Sequence, residues 1–317
     1  MDEDRVQPEL LETERVREDL ESLDRLSASE LVELMSTEAR RAPEAVIAAR
    51  IQIAWAVEGI SERMDRGGRL VYIGAGTAGR LGVLDAAEAG PTFDVRDGQV
   101  TAILAGGPDA FVRPSEAAED ARDGAVADLE RIGVGPDDAV VGITASGRTP
   151  YVVGALDWAR EHGAFTVSIA CNVGADVSRH ADAPIELGVG SEVIAGSTRM
   201  NAGTAQKITL NILSTAVMVL LGKTYGNRMV HMRATNAKLR DRALRMVCDV
   251  TGADLTAART ALEASSWDTK VAIAMIAGDV DAETARSTLE ASRGRLRDAL
   301  EAIRADALSS QGTASES

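Results

Sequence analysis

Five short apolar runs lie between residues 69 and 187, and the segments separating them limit the possible folds severely. The runs are Arg69–Ile73 (RLVYI), Val100–Leu104 (VTAIL), Ala139–Ile143 (AVVGI), Phe165–Ala170 (FTVSIA) and the shorter Pro184–Leu187. Such runs read as strands buried on both faces. Helical patterns fall between them at about Arg80–Ala87, Ser115–Ile132 and Pro150–His162. Strands alternating with helices imply a parallel sheet with helices on both faces. The expected fold class is therefore α/β, with a five-stranded parallel sheet.

The flanks are helical. Leu10–Asp24 reads as a charged helical arm. Ala42–Met64 reads as one amphipathic helix, with Val46, Ala49, Ile53, Val57 and Ile60 at helical spacing and Gly67-Gly68 as its stop. Met200–Leu221 is a long, largely apolar helix. Beyond about Thr235 only helices are expected: one over Asn236–Thr251, then three short ones opened by Asp254, Asp268 and Asp281, residues suited to a helix N-cap. The expected division is an arm over 1–41, an α/β domain over 42–235, a helical module over 236–303 and a disordered polar tail over 304–317.

Charge and composition exclude several classes of function. The net charge of -15 argues against binding nucleic acid or an anionic membrane. Cys171 and Cys248 are too few for a disulfide framework, and His162, His180 and His231 lack metal-ligand spacing. The stretch Met1–Arg25 is charged throughout, unlike a secretory signal. Ile208–Leu221 is shorter than the ~20 residues of a membrane span and carries Asn211, Ser214 and Thr215. A cytoplasmic location is expected, with no metal and no cofactor.

Two loops carry the chemistry. Gly74-Ala75-Gly76-Thr77-Ala78-Gly79 matches GxGxxG between a strand and a helix. A dinucleotide site would also need an acidic residue at the end of the second strand. That strand ends in Leu104-Ala105-Gly106-Gly107 instead. Glycines opening a helix still suit the close approach of an anion. The second loop, Ala145-Ser146-Gly147-Arg148-Thr149-Pro150, offers two hydroxyls and backbone N–H groups to one phosphate, and Pro150 suits a first helical turn. Both loops follow strands of one sheet, the edge at which ligands of such folds sit.

Carboxylates gather nearby in sequence. Asp85 and Glu88 lie three apart, on one helix face. Glu88 precedes Gly90-Pro91, where a helix C-terminus would disfavour negative charge and raise its pKa, as suits a general acid. Glu116, Glu119, Asp120 and Asp123 form an acidic stripe at helical spacing, which on spacing alone reads as a solvated face.

Three strings resemble a known family. YIGAGTAGRLGVLDAAEAGPT (Tyr72–Thr92), GITASGRTPYV (Gly142–Val152) and GSTRMNAGTAQKITLNILST (Gly196–Thr215) are similar to those of bacterial N-acetylmuramic acid 6-phosphate etherases, within the sugar isomerase (SIS) superfamily. The likeness runs from about Asp24 to Leu300. It implies a flavodoxin-like sandwich and a ubiquitin-associated-type (UBA-like) C-terminal module. It also implies a homodimer with composite active sites, and the elimination of D-lactate from the 3-position of an N-acetylamino-sugar 6-phosphate. In the open-chain sugar the C1 aldehyde acidifies the C2 proton. A base removes it, an acid protonates the departing lactate, and water adds to the unsaturated aldehyde. By the resemblance Glu88 is the acid and Glu119 the second catalytic glutamate, taken as the base. The candidates for holding substrate and phosphate are Gly76, Thr77, Ser146, Gly147, Arg148, Thr149 and Ser197. Ala78, Asn201 and His231 stand where the family usually has Ser, Lys and Asp, and the arm lacks the usual Asn after Thr13-Glu14. Two other functions fit the same architecture: a non-catalytic sugar-phosphate sensor, against which the retained glutamates argue, and an aldose–ketose isomerase.

Overall fold

The computed structural model describes residues 11–113, 115–230 and 237–314. His231 lies outside them. The chain divides into two compact units. One runs to Ala89 and from Arg96 to Val217; the other takes Gly90–Val95 and the chain from Met218 onward.

The first unit is built on five parallel strands, β1 (Leu70–Gly74), β2 (Val100–Leu104), β3 (Ala139–Ile143), β4 (Phe165–Ala170) and β5 (Ala183–Glu186), in the order β2-β1-β3-β4-β5. The order reverses between β1 and β3, which opens a crevice beyond their C-terminal ends. Register makes that edge level, since Gly74 pairs with both Leu104 and Ile143. β1, β3 and β4 are buried at every residue, which accounts for their unbroken apolar runs.

Helices cover the strands, with boundaries that differ from the expected ones. The 42–64 pattern is two helices, α1 (Ala28–Glu38) being followed by α2 (Arg41–Ala48) and α3 (Arg50–Asp65), because Ala49 leaves helical geometry (φ -82°, ψ 6°). α4 runs from Gly76 through Pro91 to Phe93, so Gly90-Pro91 does not stop it. The 115–132 pattern breaks where Ala121 turns out of the helix (ψ 81°), giving α5 (Glu116–Glu119) and α6 (Arg122–Ile132). α7 spans Pro150–Glu161 and α8 spans Asn201–Leu220. The arm makes three single 3-10 turns, Glu12–Glu14, Glu18–Leu20 and Leu23–Arg25, rather than a helix.

The third glycine of GxGxxG sets the contact between strand and helix. A Cβ on Gly79 would meet the Gly74 carbonyl oxygen at 2.5 Å and Leu104 Cδ1 at 2.6 Å. Only a bare α-carbon lets the first turn of α4 sit this close to the sheet edge.

In the second unit α9 (Ala237–Thr251), α10 (Leu255–Ala264), α11 (Thr269–Gly278), α12 (Ala282–Ala291) and α13 (Leu296–Ala314) share one core that includes Val247, Leu262, Ile273, Leu289 and Leu300. All three aspartates cap as expected: Asp254 accepts from the Thr256 and Ala257 N–H groups, Asp268 from Lys270 and Val271, and Asp281 from Thr284. Such caps contribute ~1 kcal/mol each. α13 continues to Ala314, into the segment expected to be a tail.

Candidate active site

At the sheet edge between β1 and β3 lies a cleft of about 200 Å³. Ala75–Ala78 line it from the β1–α4 loop, and Thr144, Ala145, Ser146 and Thr149 from the β3–α7 loop. Glu119 enters from the end of α5, Thr198 from the segment leading into α8, Gln206 from α8 itself, and Glu14 from the arm. Both loops therefore converge on one cavity, together with one of the two glutamates.

The β3–α7 loop is held by its own hydroxyls. Thr149 Oγ1 donates to Glu119 Oε1 at 3.1 Å and lies 2.8 Å from Thr144 Oγ1. Each hydroxyl has one proton. Since Thr149 spends its proton on Glu119, Thr144 must donate to Thr149. The Gly147 N–H donates to Thr144 Oγ1 at 3.2 Å, and the Arg148 N–H to Ser146 Oγ at 3.2 Å. Gly147 holds the turn at φ 79°, and a Cβ there would meet Ala175 Cβ at 2.5 Å.

Several expected contacts change as a result. The Gly147 N–H donates to Thr144 Oγ1 and the Thr149 hydroxyl to Glu119 on α5, so each proton expected at a phosphate has a partner within the protein. Gly147 and Arg148 shape the turn without lining the cleft. Ser197 does not line it either; its N–H closes a turn onto the Ile194 carbonyl, and Thr198 takes the position at the wall. Gly76, Thr77 and Ser146 do line the cavity, with Gly76 and Thr77 forming the N-terminal turn of α4. A helix N-terminus favours an anion there.

The acidic stripe is not on one continuous helix, because the break at Ala121 separates Glu119 from Asp123. Glu88 and Asp85 also part company. Asp85 is 5% exposed and accepts from Tyr72 Oη (2.8 Å), Asn211 Nδ2 (2.6 Å) and Ser214 Oγ (3.2 Å). Burial raises its pKa above the ordinary carboxylate value, although these three donors oppose the shift. Glu88 is exposed and does not line the cleft. It sits twelve residues along α4 from Gly76, roughly 18 Å at the helical rise. It also lies more than a turn before Phe93, beyond the reach of the terminal dipole field invoked for it.

Sequence reasoning did not foresee that Glu14 of the arm and Gln206 of α8 line the cleft. Asn172, 3% exposed, ties the arm to the loop. Its Nδ2 donates to Thr13 Oγ1 (3.1 Å) and to the Ala145 carbonyl (3.1 Å), and its Oδ1 accepts from the Thr13 N–H (3.3 Å). The Gly196 N–H donates to the Thr13 carbonyl, which places Glu14 at the cleft. The N-terminus of α8 is itself capped, since buried Glu192 accepts from the Asn201 and Ala202 N–H groups at 3.0 and 2.9 Å. The signals were the Thr13-Glu14 pair and the AGTAQK string, neither of which implies a contact by itself.

Among the described residues, no cluster of His, Cys, Asp or Glu could hold a metal ion, and no helix is long and apolar enough to cross a membrane.

Residues 52–160 match the family model of the glucokinase regulatory protein N-terminal SIS domain. Among solved structures, a phosphoheptose isomerase from Neisseria gonorrhoeae is similar with a TM-score of 0.45 and 17% identity, covering 60% of this chain and 98% of that one. Curated relatives are much nearer in sequence. N-acetylmuramic acid 6-phosphate etherase of Rubrobacter xylanophilus is 52% identical over 92% of this chain and 96% of its own length. The enzymes of the same name from Mycolicibacterium smegmatis (52% identical, 92% and 97%) and Streptomyces avermitilis (50% identical, 93% and 94%) agree. With half of its residues shared along nearly its whole length, the chain belongs to the N-acetylmuramic acid 6-phosphate etherase family.

Proposed function

We propose that this protein is a carbon–oxygen lyase that cleaves the D-lactyl ether of N-acetylmuramic acid 6-phosphate, giving N-acetylglucosamine 6-phosphate and D-lactate. The observation that carries this reading is the convergence of the two strand-end loops and Glu119 on one cleft in a chain of this family. The phosphate lies against the first turn of α4, with Gly76 and Thr77, and accepts a hydrogen bond from the Ser146 hydroxyl. Glu119, one oxygen held by Thr149, removes the C2 proton.

Glu88 remains the acid for lactate departure, but it serves the cleft of a second copy of the chain. At roughly 18 Å from Gly76 along α4 it does not share a cleft with Glu119 of its own chain. A homodimer with composite sites supplies both groups to each substrate.

The test is release of D-lactate from N-acetylmuramic acid 6-phosphate by the purified protein, followed with a D-lactate dehydrogenase couple. Tight binding without lactate would make the protein a sensor. Turnover of a simple hexose 6-phosphate between aldose and ketose would make it an isomerase.

A further inference from the structure

Gln206 carries a polar group that nothing in the described protein satisfies. Its side chain is 1% exposed, it lines the cleft, and its Nε2 has no hydrogen-bond partner. An amide N–H buried without a partner costs stability until water or a ligand completes it, and one at a cleft wall is placed to meet a ligand. Its position is well defined. Gly203, one turn earlier on the same face of α8, would bring a Cβ within 3.4 Å of Thr77 Cγ2. This face of α8 therefore packs on the first turn of α4, beside the phosphate loop.

The other cleft groups narrow what Gln206 can meet. The carboxylate oxygens of Glu14 and Glu119 are acceptors, and hydroxyls can do either. An amide Nε2 can only donate, and it keeps its protons at every working pH. We infer that Gln206 donates through Nε2 to the C1 carbonyl oxygen of the open-chain sugar and stabilises the enolate formed there. The inference rests on the lyase reading above.

The step balances without another reactant. Glu119 takes the C2 proton. The C2–H electron pair becomes the C1=C2 double bond, and the carbonyl π pair moves onto O1. Gln206 receives nothing; its N–H shortens its contact as O1 becomes negative. When the C1=O bond re-forms, the pair is driven out through C2=C3, the C3–O bond breaks, and the lactate oxygen takes the acid's proton. A donor placed where charge develops accelerates the step that develops it. Gln206 is then a catalytic residue.

The experiment compares wild type with Gln206→Met and Gln206→Glu, using N-acetylmuramic acid 6-phosphate in deuterated water. Exchange of the C2 hydrogen, lactate release and the melting temperature are read together. Gln206→Met removes the donor at similar volume. It should lower kcat for both exchange and release about a hundredfold or more, as loss of an oxyanion donor does, with KM within a few-fold of wild type. Its melting temperature should not fall, because no partner inside the protein is lost. Gln206→Glu keeps the volume but sets a carboxylate, an acceptor, where charge develops on O1, and should be nearly inactive in both exchange and release. An unchanged kcat in Gln206→Met overturns the inference. So does a raised KM at unchanged kcat, which would place Nε2 on the phosphate, or a lowered melting temperature in both variants, which would make the group structural. Wild type that neither exchanges nor releases lactate overturns the lyase reading instead.

Discussion

Thr149 Oγ1 stands between Thr144 Oγ1, 2.8 Å away, and Glu119 Oε1, 3.1 Å away. The proton order along this chain gives neighbouring residues of one loop different duties. On the reading proposed above, Thr149 aims the base Glu119, whereas the Ser146 hydroxyl, 3.4 Å from Thr144 Oγ1 at the cleft wall, turns its proton to the phosphate. Thr149→Val should therefore lower kcat about tenfold to a hundredfold with little change in KM. Ser146→Ala should do the reverse, raising KM by the equivalent of one charge-assisted hydrogen bond, about 1.5–3 kcal/mol. Steady-state lactate release separates the two. Equal effects on both constants would show that the loop acts as one rigid unit.

The sheet was legible because its strands are buried on both faces, so each appears as an unbroken apolar run; β2, β3 and β4 fall on the expected residues. The loops were legible because their glycines and hydroxyls adjoin those runs. What failed was anything decided by distance along a helix or across the fold. α4 passes through Pro91, which carries Glu88 away from a helix end. Ala121 breaks a helix that spacing alone would continue, so an apparent stripe separates. Gly147 and Thr149 look like phosphate donors in sequence because neither the bond within the turn from Gly147 to Thr144 nor the one from Thr149 across to Glu119 on α5 leaves a trace there. The arm's contact with the loop spans 159 residues between Thr13 and Asn172, and no local pattern encodes it.

That long-range contact predicts its own phenotype. Asn172→Ala removes the donor shared by Thr13 Oγ1 and the Ala145 carbonyl. The arm should detach more often, carrying Glu14 from the cleft, and the loop should loosen. Limited proteolysis within residues 12–25 should speed up several-fold, with KM rising in step. Unchanged cleavage would mean that the Gly196–Thr13 hydrogen bond holds the arm without Asn172.

The proposal of composite sites makes a prediction that single variants cannot test. Glu88→Gln should nearly abolish lactate release yet still permit C2 exchange in deuterated water. Glu119→Gln should lose both. Mixing the two inactive proteins under conditions of subunit exchange should restore about a quarter of the wild-type rate. Half of the dimers are then mixed, and each mixed dimer has one intact site and one doubly altered site. If both glutamates served the same chain's cleft, every site in a mixed dimer would carry one defect and no activity would return.

Lys270 gives the second unit a pH dependence of its own. It is 6% exposed, and its Nζ donates to the carbonyls of Gly294 (2.6 Å) and Gly222 (3.3 Å). Burial, and then the charge of Lys223, bring its pKa down from 10.5 to about 8, with Asp268 opposing. The folded pKa lies below the unfolded one, so the sign is opposite to that of a lysine gaining a partner. Below about pH 8 the ammonium is charged in both states and the folded protein bears the full burial cost. Between about 8 and 10.5 the unfolded chain holds a proton that the folded chain has released, so stability rises with pH. Above that range the amine is neutral in both states and the cost is gone. The gain across the window is about 3 kcal/mol at most. Urea unfolding of wild type and Lys270→Met at pH 7.5 and 10 isolates this contribution, since the other ionisations are common to both proteins. Wild type should gain on the variant as pH rises; parallel pH profiles would show that Lys270 keeps its ordinary pKa, with its charge solvated by the two carbonyls.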